Sequence, residues 1–172
     1  MSSEPARRLF FALWPDEATR RRIAALAGEV APKPVPAANL HLTLAFLGRC
    51  GAAELDCLRA AAGEVRAEPF ELELDFLGGW ARKRIQWLGT SRPPEALLAL
   101  VAALNTALAD CGYQPESRPY APHITLSRKA GQPLSRRLET PVRWPVGDFV
   151  LAESVPTDAG VRYEVLARWP LG

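Results

Sequence analysis

The amino-acid sequence predicts an α+β fold of two similar lobes, each an antiparallel sheet covered by helices, with a central cleft that carries one motif from each lobe. Two observations predict it. Strand-like and helical segments follow an order that repeats weakly in the second half of the chain. In both halves a proline-bearing connection leads into a short strand that has a histidine at or next to its start. Because 172 residues support one sizeable core rather than two, residues 1–172 are expected to form a single two-lobed domain.

The first half contains two strand–helix units. Residues 7–14 contain a continuous apolar run, which is typical of a buried strand, and Asp16 is an N-cap signal for a helix that ends near Val30. Three prolines within residues 31–39 exclude helix and sheet interior, so this segment is expected to be an extended surface connection. A second strand is predicted over residues 40–47 and a second helix over residues 52–65.

The second half begins with a hairpin. Apolar and acidic residues alternate over residues 70–76, the period-two pattern of a half-buried strand, and residues 84–89 can pair back across Gly78 and Gly79. The clearest helix follows over residues 95–109, with apolar positions on one face and Gly112 past its end. The remaining predicted strands cover residues 123–127, 148–155 and 161–169.

The composition excludes several classes of protein. With 48% hydrophobic and 23% charged residues the chain has the balance of a soluble globular protein, and its formal net charge of +2 is too small to establish nucleic-acid binding. The longest apolar stretch near the start is too short for a signal-peptide core or a membrane span, so we expect a cytoplasmic protein that does not bind membranes. We expect a monomer with no obligate protein partner. Cys50, Cys57 and Cys111 lack C-x-x-C spacing and are expected to be reduced thiols.

Both histidines of the chain begin the same four-residue pattern, HLTL from His41 and HITL from His123. With seven threonines in 172 residues, the chance that both histidines have threonine two places on is about one in 600. On a strand, residues two apart point to the same face, so each imidazole projects with its hydroxyl, Thr43 or Thr125, while the intervening aliphatic residues face the core. If the two lobes face each other, both pairs line one cavity.

Two imidazoles and two hydroxyls suit in-line displacement at phosphorus. A neutral imidazole can accept a proton from water or a ribose hydroxyl, while a protonated one donates to the departing oxygen. The threonine hydroxyls can donate hydrogen bonds to the non-bridging oxygens. His41 and His123 are therefore the candidate catalytic residues, although the pattern does not distinguish the acid from the base. No metal or other cofactor is expected, because neither segment carries a carboxylate or cysteine at ligand spacing.

The paired motifs are similar to those of a known family. Together with RLFFAL from Arg7, NLHLTLAFLG from Asn39 and RPYAPHITLSR from Arg118, they resemble the 2H phosphoesterase superfamily, and within it the bacterial and archaeal RNA 2′,3′-cyclic phosphodiesterases, also called 2′-5′ RNA ligases. The resemblance implies hydrolysis of a 2′,3′-cyclic phosphate, at an RNA end or on a nucleotide, to a 2′-phosphate. It also implies that His41 donates a proton to the leaving 3′ oxygen and that His123 accepts one from water.

Several further residues are candidates for substrate contact. Arg128 follows the second motif, and we expect it on the face of His123 and Thr125, where it can bind phosphate. Arg118, in the connection before that motif, is an expected contact, with a surface role as the alternative. The candidates for stacking on a base are Phe11, Phe46, Tyr120 and Trp144, with core packing the favoured alternative for Phe11 and Phe46. Trp80, Arg82 and Lys83 at the hairpin tip can meet an RNA backbone, with an ordinary exposed turn as the alternative, whereas Arg20 to Arg22 are expected to be solvated helix surface.

Other functions remain open at this point. A binding module that holds nucleotides or RNA ends without turnover is one alternative, because a fold does not guarantee a reaction rate. The others are a phosphodiesterase for another cyclic phosphate and a 2′-5′ ligase that runs the reverse reaction.

Overall fold

The structure is a computed structural model that describes residues 5–129 and 134–172. Its strands form one eight-stranded antiparallel sheet, and three α-helices pack on one face of it. In chain order the elements are β1 (Arg7–Leu13), α1 (Glu17–Val30), β2 (Leu42–Cys50), α2 (Ala52–Gly63), β3 (Phe70–Trp80), β4 (Ile85–Gly89), α3 (Glu95–Leu108), β5 (His123–Ser127), β6 (Arg136–Val146), β7 (Asp148–Thr157) and β8 (Gly160–Pro170).

The strand order in the sheet is β6-β3-β4-β5-β2-β1-β7-β8. Its two four-stranded halves meet between β5 and β2, which share a single residue pair, Leu42 with Ile124. The predicted α+β class with antiparallel strands is confirmed, but the strands form a single sheet and not a separate sheet in each lobe. Because β7 pairs with β1, the last two strands of the chain join the half of the sheet that contains β1 and β2. The two halves of the sheet therefore do not correspond to the two halves of the chain.

Local signals account for the ends of the helices. The Asp16 carboxylate accepts hydrogen bonds from the backbone N–H and the hydroxyl of Thr19, at 2.8 and 2.9 Å, and thereby caps α1. Helix α3 buries its predicted apolar stripe against the sheet, and the chain leaves it through a short 3₁₀ turn that ends at Gly112, whose φ of 85° favours glycine. Both helices confirm their predictions. No described helix is long and apolar enough to cross a bilayer.

The two faces of the sheet differ in what covers them. The main core lies between one face and the helices, and it contains Leu42 and Ile124, both fully buried. On the opposite face, which we call the open face, a small second cluster contains Phe10, Ala12, Val150 and Ala152. Because side chains alternate along a strand, the His and Thr residues of both motifs project to the open face.

Strand β6 was not predicted. It contains Pro141 and Pro145, residues that argue against a strand in sequence-based prediction. It forms because β6 lies at the edge of the sheet and pairs only with β3. A proline has no N–H to donate, but an edge strand has no second neighbouring strand that would need this hydrogen bond.

The expectation of three reduced thiols was wrong. Cys57 and Cys111 form a disulfide between α2 and the 3₁₀ turn after α3, with their Cα atoms 5.8 Å apart. They are 54 residues apart in the chain, so the packing of α2 against this turn brings them together rather than any local spacing. Cys50 is free, as expected, and it is buried.

Candidate active site

The central strands β2 and β5 place the two motifs side by side. Leu42 and Ile124 are directly opposite each other in antiparallel register. Continued by one residue in each direction, this register puts His41 across from Thr125 and Thr43 across from His123. All four of these side chains are partly exposed while the paired aliphatic residues are fully buried. Each imidazole therefore lies on the same face of the sheet as the hydroxyl of the other motif.

Both imidazoles are held in the same tautomer. The Nδ1–H of His41 donates to the carbonyl oxygen of Asn39 at 2.7 Å, and that of His123 donates to the carbonyl oxygen of Ala121 at 2.8 Å. A carbonyl oxygen only accepts hydrogen bonds, so Nδ1 carries the hydrogen in each ring. Nε2 is left as the nitrogen that can accept or donate a proton on each histidine.

Aromatic rings surround His41. The ring of Trp14 lies nearly parallel to it, at 5.5 Å between centroids and an angle of 15°, and Phe10 and Tyr163 are both at 4.9 Å. Sequence reasoning missed these three residues. Tyr163 comes from β8, far along the chain, and no local pattern marks it as a neighbour of the first motif.

Arg20 clamps the turn that leads into His41. Its guanidinium donates hydrogen bonds to the carbonyl oxygens of Ala37 and Leu40, at 2.6 and 3.1 Å, and to that of Pro15 at 3.3 Å. The same turn contains Asn39, whose carbonyl orients His41. The expectation that Arg20 is solvated helix surface was therefore wrong, because carbonyls 17 and 20 residues away, brought close by the fold, are its main partners.

A different aromatic group lies beside His123. Trp80 meets the imidazole edge-on at 4.8 Å between centroids, and Trp87 lies at 6.4 Å. Trp87 pairs with Thr125 across β4 and β5, which places its ring on the open face. The ring covers Gly78 and Gly89, where any Cβ atom would overlap it. Both positions therefore require glycine, and Trp87 is fixed in place under Trp80.

The electrostatic environment favours an anion. Burial is the main cause that lowers the pKa of His41 to about 4, and it also lowers the pKa of His123. The hydrogen bonds to Asn39 and Ala121 oppose this effect, whereas the positive charge of Arg128 adds to it at both rings. At pH 7 both imidazoles are thus neutral without ligand, and a bound phosphate would raise both pKa values by supplying the missing negative charge.

Arg128 lies just past the end of β5, near both motifs. Strand β5 ends at Ser127, and Arg128 lies three residues past Thr125, so strand alternation does not put it on the open face. The chain bends at this point, and the guanidinium nevertheless acts electrostatically on His41 and His123. Arg128 is thus close enough to influence both imidazoles, but the expected place on the face of His123 and Thr125 does not follow from strand alternation.

The predicted base-stacking residues divide into three groups. Phe11 is fully buried and Trp144 is 2% exposed, both in the main core, so neither can contact a base; this confirms the core packing favoured for Phe11 and corrects the expectation for Trp144. Tyr120 points inward, and its hydroxyl donates to the carbonyl oxygen of Thr43 at 2.9 Å. Phe46 is 58% exposed and pairs with Phe10, so it lies on the open face, and the core packing favoured for it was wrong.

Arg118 is exposed in the connection before the second motif. Its guanidinium forms an ion pair with Glu116 at 3.6 Å. The expected contact of Arg118 with substrate stays a prediction.

Comparisons with known proteins agree with this fold and identify a family. A family model described as the 2′-5′ RNA ligase superfamily matches residues 14–155. The RNA 2′,3′-cyclic phosphodiesterase of Escherichia coli (strain K12) is 40% identical over 176 residues, covering 98% of this chain and 98% of that protein. The protein of the same name from Thermus thermophilus is 32% identical, covering 95% and 90%. The crystal structure of E. coli LigT complexed with 3′-AMP has a TM-score of 0.88 at 37% identity, covering 96% of this chain and 98% of that one. The resemblance inferred from the motifs is thus confirmed, and this chain belongs to the 2′-5′ RNA ligase superfamily.

Proposed function

We propose that this protein hydrolyses 2′,3′-cyclic phosphates at RNA ends to 2′-phosphomonoesters, with His41 and His123 as its acid and base. The observation that carries the proposal is the juxtaposition of two identical His–Thr pairs across β2 and β5, each with Nδ1 bound to backbone and Nε2 left for proton transfer. Relatives named RNA 2′,3′-cyclic phosphodiesterase, at up to 40% identity over nearly the whole chain, support the same reaction.

The reaction needs one proton removed and one delivered. Water attacks phosphorus and gives a proton to Nε2 of His123, while Nε2 of His41 protonates the 3′ oxygen as its bond to phosphorus breaks. The product keeps the phosphate on the 2′ oxygen and has a free 3′ hydroxyl. This assignment of acid and base rests on the family resemblance, because the two motifs have the same local geometry.

Binding of the anionic substrate makes His41 able to act as the acid. His41 has a pKa of about 4 without ligand, so it is neutral at pH 7 and a poor donor in the free protein. A phosphate anion beside the ring offsets both its burial and the positive charge of Arg128, and therefore raises the pKa of His41. The base His123 has to be neutral when it accepts the proton, and the lowered pKa that it has in the free protein favours the neutral form.

Three side chains stabilise the charge that builds on the phosphate oxygens. The hydroxyls of Thr43 and Thr125 donate hydrogen bonds to the non-bridging oxygens, and the guanidinium of Arg128 supplies a positive charge. No metal ion takes part in this scheme. Among the described residues, no three His, Cys, Asp or Glu side chains gather as metal ligands would.

The test uses a short RNA that ends in a 2′,3′-cyclic phosphate, incubated with purified protein in excess chelator. We expect wild type to release the 2′-phosphate, and His41→Ala and His123→Ala each to lower turnover by about 10²- to 10⁴-fold with the fold intact. Thr106→Val, at an exposed position on α3, is the matched control and should be fully active. Near-normal turnover by either histidine variant would contradict the mechanism.

Other outcomes would favour the alternatives. Tight binding of the RNA end without turnover would identify a binding module, and turnover of a small cyclic phosphate alone would identify a different substrate. Joining of the cyclic phosphate to a 5′-hydroxyl RNA would add 2′-5′ ligation. The two-lobed single domain, the monomeric state and the cytoplasmic location stay predictions.

A further inference from the structure

The tip of the β3–β4 hairpin lies beside the second motif. Trp80 ends β3, and a tight turn over residues 81–84 leads into β4. The side chain of Trp80 is 37% exposed, although its ring also lies nearly perpendicular to that of His123, at 81°. Trp80 thus connects the catalytic imidazole to the solvent-facing tip of the hairpin.

The turn carries three consecutive cations, Arg82, Lys83 and Arg84, and all three are exposed. The ammonium of Lys83 lies 6.0 Å from the centroid of the Trp80 ring, and its positive charge is one of the causes that lower the pKa of His123. Among the described residues none of the three forms an ion pair with a carboxylate. The turn therefore presents uncompensated positive charge next to an exposed aromatic ring.

The aromatic ring is firmly supported from below. Trp80 packs on Trp87 at 5.7 Å between centroids, and Trp87 is seated on Gly78 and Gly89. A flat ring held by a rigid base can stack with a nucleobase of any sequence, and neighbouring cations can bind the phosphates of a single strand. Both components of a single-strand binding site are thus present at one tip.

We propose that the hairpin tip, residues 80–84, is a binding site for the RNA strand that leads into the cyclic phosphate. Trp80 stacks with a base, and the cations Arg82, Lys83 and Arg84 bind the phosphodiesters upstream of the terminal nucleotide. The inference rests on the proposed function and extends it, because it makes this protein selective for oligonucleotide ends over cyclic mononucleotides. A cyclic mononucleotide has a base for Trp80 but no upstream phosphate for the cations.

The test compares two substrates, 2′,3′-cyclic AMP and an eight-residue RNA that ends in a 2′,3′-cyclic phosphate. For the double variant Arg82→Gln/Arg84→Gln, which leaves Lys83 and its charge beside His123 in place, we expect kcat/KM on the RNA to fall at least about tenfold, mainly through KM, with little change on cyclic AMP. The slope of log kcat/KM against log salt for the RNA should become shallower by about 0.7 for each phosphate that the variant no longer binds. The control Arg22→Gln/Arg59→Gln removes the same charge from exposed helix positions and should leave both substrates unaffected.

Trp80 is tested separately because its ring also contacts His123. Trp80→Ala should lower kcat/KM about 5- to 150-fold on both substrates, since both contain a base, and Trp80→Phe should restore most of it. An equal loss on both substrates by the double variant, an unchanged salt slope, or the same loss in the control would overturn the inference while wild-type turnover stands. If wild type turns over neither substrate, the proposed function fails, and this inference fails with it.

Discussion

His41 is the residue whose environment makes the sharpest quantitative prediction. Its pKa is lowered from 6.5 to about 4, chiefly because burial disfavours the charged ring. At about 1.4 kcal/mol for each pH unit, the difference corresponds to about 3 kcal/mol of free energy of unfolding. The full amount is an upper value, because local opening lets water reach the ring at low pH.

The direction of this pH dependence follows from which state of the protein, folded or unfolded, binds the proton on His41 more tightly. Between pH 6.5 and about 4 the unfolded chain protonates His41 while the folded protein does not, so unfolding becomes more favourable as the pH falls. The stability contribution is fully present above pH 6.5 and is lost by about pH 4. In His41→Gln this part of the pH dependence disappears.

The assay is urea unfolding of wild type and His41→Gln at pH 7.5, 5.5 and 4.5. As the pH falls, we expect the free energy of unfolding of wild type to decrease relative to that of His41→Gln by up to about 3 kcal/mol. Proton NMR gives a direct check, because the chain has only two imidazole signals and each histidine variant removes one of them. Added inorganic phosphate should raise the midpoint of the His41 signal. A midpoint near 6.5 in the free protein, or parallel pH curves for both proteins, would refute the reasoning.

Three further predictions concern the neighbours of the imidazoles. Thr43→Val and Thr125→Val should each lower kcat about 10- to 1000-fold by removing one donor to the phosphate, measured as steady-state turnover, and equal rates would exclude that role. Arg20→Gln should lower kcat about 100-fold by releasing the turn before the first motif. It should also raise the His41 titration midpoint, because the charge of Arg20 lowers that pKa; an unmoved midpoint with normal kcat would contradict the clamp. Gly78→Ala should destabilise the fold by about 1–3 kcal/mol in thermal unfolding, since the new methyl group overlaps the Trp87 ring, and unchanged stability would show that the ring moves freely.

Much of the site could be predicted from the sequence because residues that are close together in the chain determine it. The HxTx pattern places each histidine and threonine on one face of a strand, whatever the rest of the fold does. The cap at Asp16 and the apolar stripe of α3 are likewise local, and both elements begin where predicted. The family resemblance was carried by the same short segments around His41 and His123.

Only the tertiary structure decided which aromatic and charged residues serve the site. Phe10 and Phe11 are both buried, in a strand covered on both faces, so hydrophobicity did not distinguish the ring that meets His41 from the one that packs under the helices. Arg20 and Arg21 are adjacent on α1, yet only Arg20 reaches the carbonyls of a distant turn. Such partners are set by the packing of segments far apart in the chain, and a pattern of neighbouring residues holds no information about them.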